Sequence, residues 1–129
     1  MALYLSDDWH AMVREVADQL PVRDGVSIRI AFVVSGGPNG DCKYYQVIED
    51  GRLVGQANGT IPDPDITMTV SWADGVAMHT GELDPNVAMM QGRAKIAGNM
   101  GKVIAVLPLS TSADYRTVQE KVRSHTEFP

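Results

Sequence analysis

The segment from Gly81 to Gly101 constrains the fold of this chain more than any other stretch. Its Asp84-Pro85 pair is typical of a helix start, because aspartate caps the first turn and proline is tolerated at the first helical position. Gly92 ends that helix, and residues 93–97 form a short strand. The segment therefore predicts short helices around a strand. Its apolar side chains are mostly long and pliable, and it holds no obvious set of catalytic groups.

Periodicity along the whole chain predicts an α+β fold with a five-stranded, mainly antiparallel sheet. Apolar residues mark five strands, at 26–34, 42–49, 52–57, 66–70 and 93–97. Helical spacing predicts helices at 6–20, 71–78, 84–91 and about 111–125, and another from Asn99 through Leu107 that Pro108 closes. Asp50-Gly51 predicts a type I′ hairpin turn between the second and third strands.

Composition predicts one globular domain over residues 1–129, since 44% of the residues are apolar and 21% are charged. The net charge of -5, with scattered basic residues, argues against nucleic acid and anionic membranes as partners. Cys42 is the only cysteine, so the chain has no internal disulfide and no cysteine-based zinc site. The start of the chain lacks the features of a secretory signal, and no apolar run approaches the ~20 residues that span a bilayer. We expect a soluble, cytoplasmic protein without stable membrane insertion.

Motifs for catalysis or cofactor binding are weak in this sequence. His10, His79 and His125 lie far apart and match no metal-ligand spacing, so neither a metal site nor a cofactor is expected. The glycine-rich run 36–40 joins two strands and lacks the ending of a phosphate-binding loop, which favours a hairpin. Gly98-Asn99-Met100-Gly101 matches the short loop by which KH domains grip nucleic acid, but the acidic chain argues against that role. The sequence predicts a protein that is not an enzyme.

Six methionines lie on apolar faces of the predicted elements, at Met12, Met68, Met78, Met89, Met90 and Met100. Methionine repacks readily, so such a set suits a pocket that accepts varied apolar shapes, and it equally suits an ordinary core with flexible filler. Gln91 adds a polar group beside this set. It is either a residue that orients a ligand head group or an exposed residue at a helix end.

The run from Gly81, Gly-x-Leu-Asp-Pro followed by Ala-Met-Met-Gln-Gly-Arg-x-Lys-Ile-x-Gly-Asn-Met-Gly, closely resembles the sterol carrier protein 2 (SCP2) domain. The likeness extends over nearly the whole chain, including the first helix, the Asp50-Gly51 hairpin and the Pro-Asp stretch before Ile66. It implies a sheet covered on one face by helices, with an apolar tunnel between them. Such domains bind sterols, fatty acids, fatty acyl-CoA or phospholipids without catalysis of their own.

The resemblance also implies which side chains line the tunnel. Helix 1 closes one side, and the fourth strand and the helices after it form the rest. The implied ligand-binding residues are Trp9, Met12, Val16, Met68, Val70, Val76, Met78, Met89, Met90, Gln91, Met100, Val103, Ile104 and Leu107. Two positions depart from the family pattern. Met89 stands where phenylalanine is frequent, and Lys102 stands where an apolar residue is usual.

The predicted function is non-catalytic binding and carriage of a hydrophobic small molecule. The main alternative is an interaction or accessory module whose tunnel is filled by its own side chains and which dimerises or docks on a partner enzyme. An enzyme is the third hypothesis, and it requires His10, His79 or His125 to converge with a carboxylate beside the pocket. The helix at about 111–125 is expected either to plug the tunnel, which favours the module, or to provide the face of a homodimer.

Overall fold

The computed structural model describes residues 2–128, apart from the side chain of Ser110. It has an α+β fold with two sheets. The strands are β1 (Ala2–Leu3), β2 (Ile28–Gly37), β3 (Gly40–Glu49), β4 (Arg52–Asn58), β5 (Ile66–Ser71), β6 (Ala94–Gly98) and β7 (Thr126–Glu127). Strands β4-β3-β2-β5-β6 form the main sheet in that order, in which β2 and β5 are parallel and the other pairings are antiparallel. The five predicted strands are confirmed. The parallel pair β1–β7, which ties the two ends of the chain together, was not predicted.

Helices follow the predicted order with one correction. They are α1 (Asp7–Ala17), α2 (Trp72–Thr80), α3 (Pro85–Met90), α4 (Met100–Ala105), α5 (Leu107–Ser110) and α6 (Ala113–Ser124). The single helix predicted from Asn99 through Leu107 is divided after Ala105, and Pro108 lies in the first turn of α5 instead of closing a helix. Proline is tolerated there because the first amides of a helix need no partner within the helix.

Helix and turn signals in the sequence have the expected geometry. The Ser6 hydroxyl accepts from the Trp9 amide at 3.1 Å, and the Ser71 hydroxyl accepts from the Asp74 amide at 3.1 Å. The Asp84 carboxylate accepts from the Asn86 amide at 2.7 Å. In the β3–β4 turn, Asp50 and Gly51 have φ of 49° and 81°, as a type I′ turn requires.

Helices α1 and α2 pack against the same face of the main sheet, which we call the core face. His10 of α1 hydrogen-bonds to Gln56 of β4, and a Cβ atom on Gly75 of α2 would lie 3.7 Å from Val70 Cγ1. Strand registers place Gln56 and Val70 on this same face. Helix α6 packs against α1 and adds Val118 and Val122 to the core. Over residues 2–128, no helix combines the length and apolar character needed to cross a bilayer.

Candidate functional site

Burial along the two central strands changes between their ends and their middle. On the core face of β2, Ile28 and Val34 are 1% and 0% exposed, but Ile30 and Phe32 between them are only half-buried. Strand β5 repeats this pattern, since its end residues Ile66 and Val70 are buried and Met68 between them is half-buried. Both strands are therefore closed at their ends and partly open in the middle.

The half-buried residues lie side by side. In the registers of the sheet, Phe32 is paired with Met68, and Met68 is paired with Ile96 of the edge strand β6. Together with Ile30 they form an apolar band that runs from the centre of the core face to the β6 edge. We call Ile30, Phe32, Met68 and Ile96 the mid-sheet strip. Apolar side chains left partly exposed in the middle of a core face offer a surface that a ligand can cover.

Short helices with exposed apolar side chains flank the β6 end of this strip. Helix α3 ends just before β6 and α4 begins just after it, so the two helices stand at opposite ends of the edge strand. Met90 is 86% exposed and Ile104 is 66% exposed. The other large apolar residues exposed on α3, α4 and α5 are Val87, Met89, Met100 and Leu107. Helices α3, α4 and α5 thus present apolar side chains that the rest of the chain does not cover, as binding surfaces do.

The fourteen residues predicted to bind ligand separate into three groups by burial. Trp9 and Val70 are buried in the core. Six are half-buried, and they are Met12, Val16, Met68, Val76, Met78 and Val103. Six are exposed, and they are Met89, Met90, Gln91, Met100, Ile104 and Leu107. The structure brings the α1 and α2 members together with Val70 in the hydrophobic core, whereas the α3, α4 and α5 members lie outside it. For all fourteen residues, contact with a ligand stays a prediction.

Gln91 lies at the surface, where it is the C-terminal capping residue of α3. Its Oε1 accepts from Arg93 Nη1 at 3.3 Å, and Arg93 forms an ion pair with Asp74 at 2.6 Å. This side-chain hydrogen bond holds Gln91 on the Arg93 side of the helix end. A head-group contact through Gln91 is still a prediction.

Two cavities lie away from all fourteen predicted residues. One of about 350 Å³ lies between the segment 3–6, the β2–β3 turn and Trp72, and Cys42 is in its wall. Burial raises the pKa of the Cys42 thiol, with Asp41 adding to the effect. The other, of about 250 Å³, lies between the loop 59–64 and the strands β2, β3 and β5, and Phe32 of the mid-sheet strip is in its wall. Both cavities are alternative places for a small ligand.

A buried polar network crosses from α1 to the core face. His10 and Gln56 are each 1% exposed, and Gln56 Nε2 lies 3.1 Å from His10 Nδ1. His10 Nε2 lies 2.9 Å from Asn58 Oδ1, and Gln46 Nε2 donates to Gln56 Oε1 at 2.8 Å. Both ring nitrogens of His10 are thus engaged by amides. In residues 2–128, no group of three or more His, Cys, Asp or Glu side chains could hold a metal ion.

The pH dependence of stability follows from the state of His10. Burial lowers the pKa of His10 from 6.5, although the Asn58 bond and Asp7 oppose the shift. The pKa of His10 is lower in the folded state than in the unfolded state. Its contribution to the free energy of unfolding is therefore complete above pH 6.5 and is lost as the pH falls through the folded pKa. We expect His10→Gln, which can still donate and accept, to flatten the fall in unfolding free energy between pH 7.5 and 5.5. The difference in slope is at most about 1.4 kcal/mol per pH unit. Urea unfolding of both proteins measures it, and equal slopes would contradict the assignment.

Sequence reasoning missed three of the four strip residues and the glutamine beside them. The alternation of β2 already places Ile30 and Phe32 on one face, so a signal for that face existed. Ile96 and Gln46 depend on strand order and register, which set their neighbours. The sequence specifies neither the strand order nor the register.

Comparisons with known proteins agree with this architecture. The family model described as the SCP-2 sterol transfer family matches residues 13–109. Sterol carrier protein 2 of Rattus norvegicus is 33% identical over 89 residues, which cover 65% of this chain and 15% of that protein. The chain thus matches only a small part of the length of this curated relative.

Two solved structures show the same fold. A crystal structure of sterol carrier protein 2 matches with a TM-score of 0.68 and 13% identity, covering 96% of this chain and 99% of the other. Sterol carrier protein 2 like 2 from Aedes aegypti matches with a TM-score of 0.61 and 15% identity, covering 78% and 93%.

Proposed function

The chain belongs to the SCP-2 sterol transfer family, and on that premise we propose that it binds and carries an apolar small molecule without catalysing a reaction. The ligand lies across the mid-sheet strip, between the core face and the helices that follow β5. A sterol, fatty acid, fatty acyl-CoA or phospholipid each has an apolar part that fits this chemistry. The α3, α4 and α5 side chains close over the ligand from the β6 edge.

The observation that carries this proposal is the partial burial of the mid-sheet strip. Phe32 belongs to the central part of the sheet and Met68 to the neighbouring strand, yet both keep some exposure where a filled core would bury them. Covering about 300 Å² of apolar ligand surface is worth roughly 7 kcal/mol before the costs of association are subtracted. Burial therefore supplies a large favourable contribution to the binding of such a ligand.

The state of His10 supports binding over catalysis at the strip. A histidine base needs a free ring nitrogen within reach of a substrate proton. In His10, one ring nitrogen faces Gln56 and the other faces Asn58. The chemistry that remains at the strip is apolar contact.

Native mass spectrometry after mild purification tests the proposal, together with titration by the fluorescent fatty acid cis-parinaric acid and the fluorescent sterol dehydroergosterol. We expect an adduct of lipid mass on the purified chain, or saturable binding of at least one probe in the micromolar range. If no lipid co-purifies and neither probe binds below high-micromolar concentration, the carrier function is wrong.

One observation favours a second candidate, an interaction module that docks through α3 and α4. Met90 and Ile104 are the most exposed large apolar residues of these helices, at 86% and 66%. In that case their exposure serves a partner chain, and the same titrations show no saturable binding. If the partner is a second copy of the chain, light scattering of the purified chain gives a dimer mass.

A further inference from the structure

In the polar network of Asn58, His10, Gln56 and Gln46, the donor and the acceptor of each hydrogen bond can be assigned. The assignment starts from the backbone carbonyl of Leu5. Asn58 Nδ2 lies 3.1 Å from the Leu5 carbonyl oxygen and 3.1 Å from Asp7 Oδ1, and both oxygens can only accept. The nitrogen of the Asn58 amide must therefore face them, so its oxygen faces His10. His10 Nε2, 2.9 Å from that oxygen, carries the proton.

The remaining assignments follow in sequence. With its proton on Nε2, a neutral His10 accepts at Nδ1, so Gln56 Nε2 donates to it at 3.1 Å. Gln56 Oε1 then accepts from Gln46 Nε2 at 2.8 Å. Gln46 stands at the end of the network, and its carbonyl Oε1 and one N–H have no partner among residues 2–128.

Gln46 lies next to the mid-sheet strip. It is half-buried on the core face of β3, and in the sheet register it is paired with Ile30 of the strip. Because Ile30, Phe32, Met68 and Ile96 are all apolar, a hydrogen bond to a ligand on the strip must come from a neighbouring residue. Tyr44, which stacks on Phe32, is buried, whereas Gln46 is half-buried and has a donor and an acceptor to offer.

The amide favours a neutral polar group over an anion. A hydroxyl can donate to Gln46 Oε1 and accept from its free N–H, whereas an ionised carboxylate has no proton to give and brings its oxygens against Oε1. The charged side chains in contact with the network are Asp7, which accepts from Asn58, and Arg14, which donates to the backbone carbonyl of Gln56. They are opposite in sign and exposed. The network therefore contains no buried cation that could pair with a carboxylate.

We propose that Gln46 determines specificity at the mid-sheet strip, by hydrogen-bonding to the hydroxyl of an alcohol-type lipid and discriminating against carboxylates. This inference rests on the proposed function, and it narrows the ligand class to apolar molecules with one hydroxyl group. The bonds from Asn58 through Gln56 hold the amide in its orientation before the ligand arrives.

A matched pair of probes tests this role. Displacement of Nile red at pH 7.5 gives the affinities for 1-dodecanol and dodecanoate, which share one tail length and differ at the polar end. We expect the wild-type chain to prefer the alcohol. Gln46→Leu should weaken dodecanol binding about 3- to 10-fold, the effect of one neutral hydrogen bond, and should change dodecanoate binding little. Gln46→Lys keeps a donor to Gln56 and adds a cation, so it should reverse the preference.

Controls separate the possible results. Gln119→Leu makes the same change on the exposed surface of α6 and should leave both affinities unchanged. A wild-type preference for dodecanoate, or a preference that Gln46→Leu and Gln46→Lys leave unchanged, overturns the role of Gln46 while carriage itself stands. If the wild-type chain binds neither probe, carriage fails as well. If neither variant folds, the wild-type preference decides alone.

Discussion

Met68→Arg is expected to reduce the affinity for an apolar ligand by about 30-fold or more. Met68 is at the centre of the mid-sheet strip, between Phe32 and Ile96 in the sheet register. A ligand that covers an arginine there must remove water from an unpaired guanidinium, and a penalty of only 2–3 kcal/mol corresponds to roughly 30- to 150-fold in the dissociation constant. Nile red titration of the purified variant measures the loss.

The neighbouring residue provides the control for this substitution. Thr69 follows Met68 on the same strand, and because side chains alternate it is exposed on the opposite face of the sheet. Thr69→Arg should therefore bind Nile red as the wild-type chain does. Ile96→Arg repeats the test on the edge strand, should Met68→Arg fail to fold by circular dichroism. Equal affinities for the Met68 and Thr69 variants would place the ligand away from the core face.

Gly98→Ala is expected to lower the free energy of unfolding by about 2–5 kcal/mol. Gly98 joins β6 to α4 and has φ of +127°, a conformation that alanine rarely adopts. A Cβ atom there would lie 2.4 Å from the Asp65 carbonyl oxygen and 2.9 Å from Ile66 Cα. Both contacts are to backbone atoms of the neighbouring chain segment, so the junction itself must move. Urea unfolding measures the loss.

Gly92→Ala is the matched control for this effect. Gly92 also has positive φ, +72°, but a Cβ atom there would meet nothing within 4 Å. Only the left-handed conformation then costs energy, roughly 1–2 kcal/mol. If the two alanine variants unfold at the same urea concentration, the close approach of β6 and β5 at Gly98 is not the reason for glycine.

Local signals in the sequence predicted most of the fold, because caps and turns act over a few residues. Ser6, Ser71 and Asp84 each accept the amide hydrogen bonds that their positions indicated. Pro108 shows the limit of such signals, since proline suits both the end of one helix and the first turn of the next. The β1–β7 pair joins residues more than 120 positions apart, and no local pattern reports such a pairing.

The candidate site was less predictable, because it depends on which helix covers which part of the sheet. Met68 has the same apolar character as Val70, and only the packing of the helices leaves the first half-buried and the second buried. The burial of Trp9 also depends on tertiary packing, since its Nε1 donates to Thr126 Oγ1 at 2.9 Å, and Thr126 is near the other end of the sequence. His10 matched no motif, and its role in the polar network depends on the packing of α1 against β4.

Methyl NMR of the chain labelled at methionine and isoleucine, with unlabelled 1-dodecanol added, is the most direct test of the central claim. We predict intermolecular NOEs from the alkyl chain to the methyl groups of Ile30, Met68 and Ile96 on the core face. NOEs only to Ile61, which lines the cavity under the loop 59–64, would place the ligand in that cavity. NOEs only to Met90, or none, would contradict carriage at the mid-sheet strip.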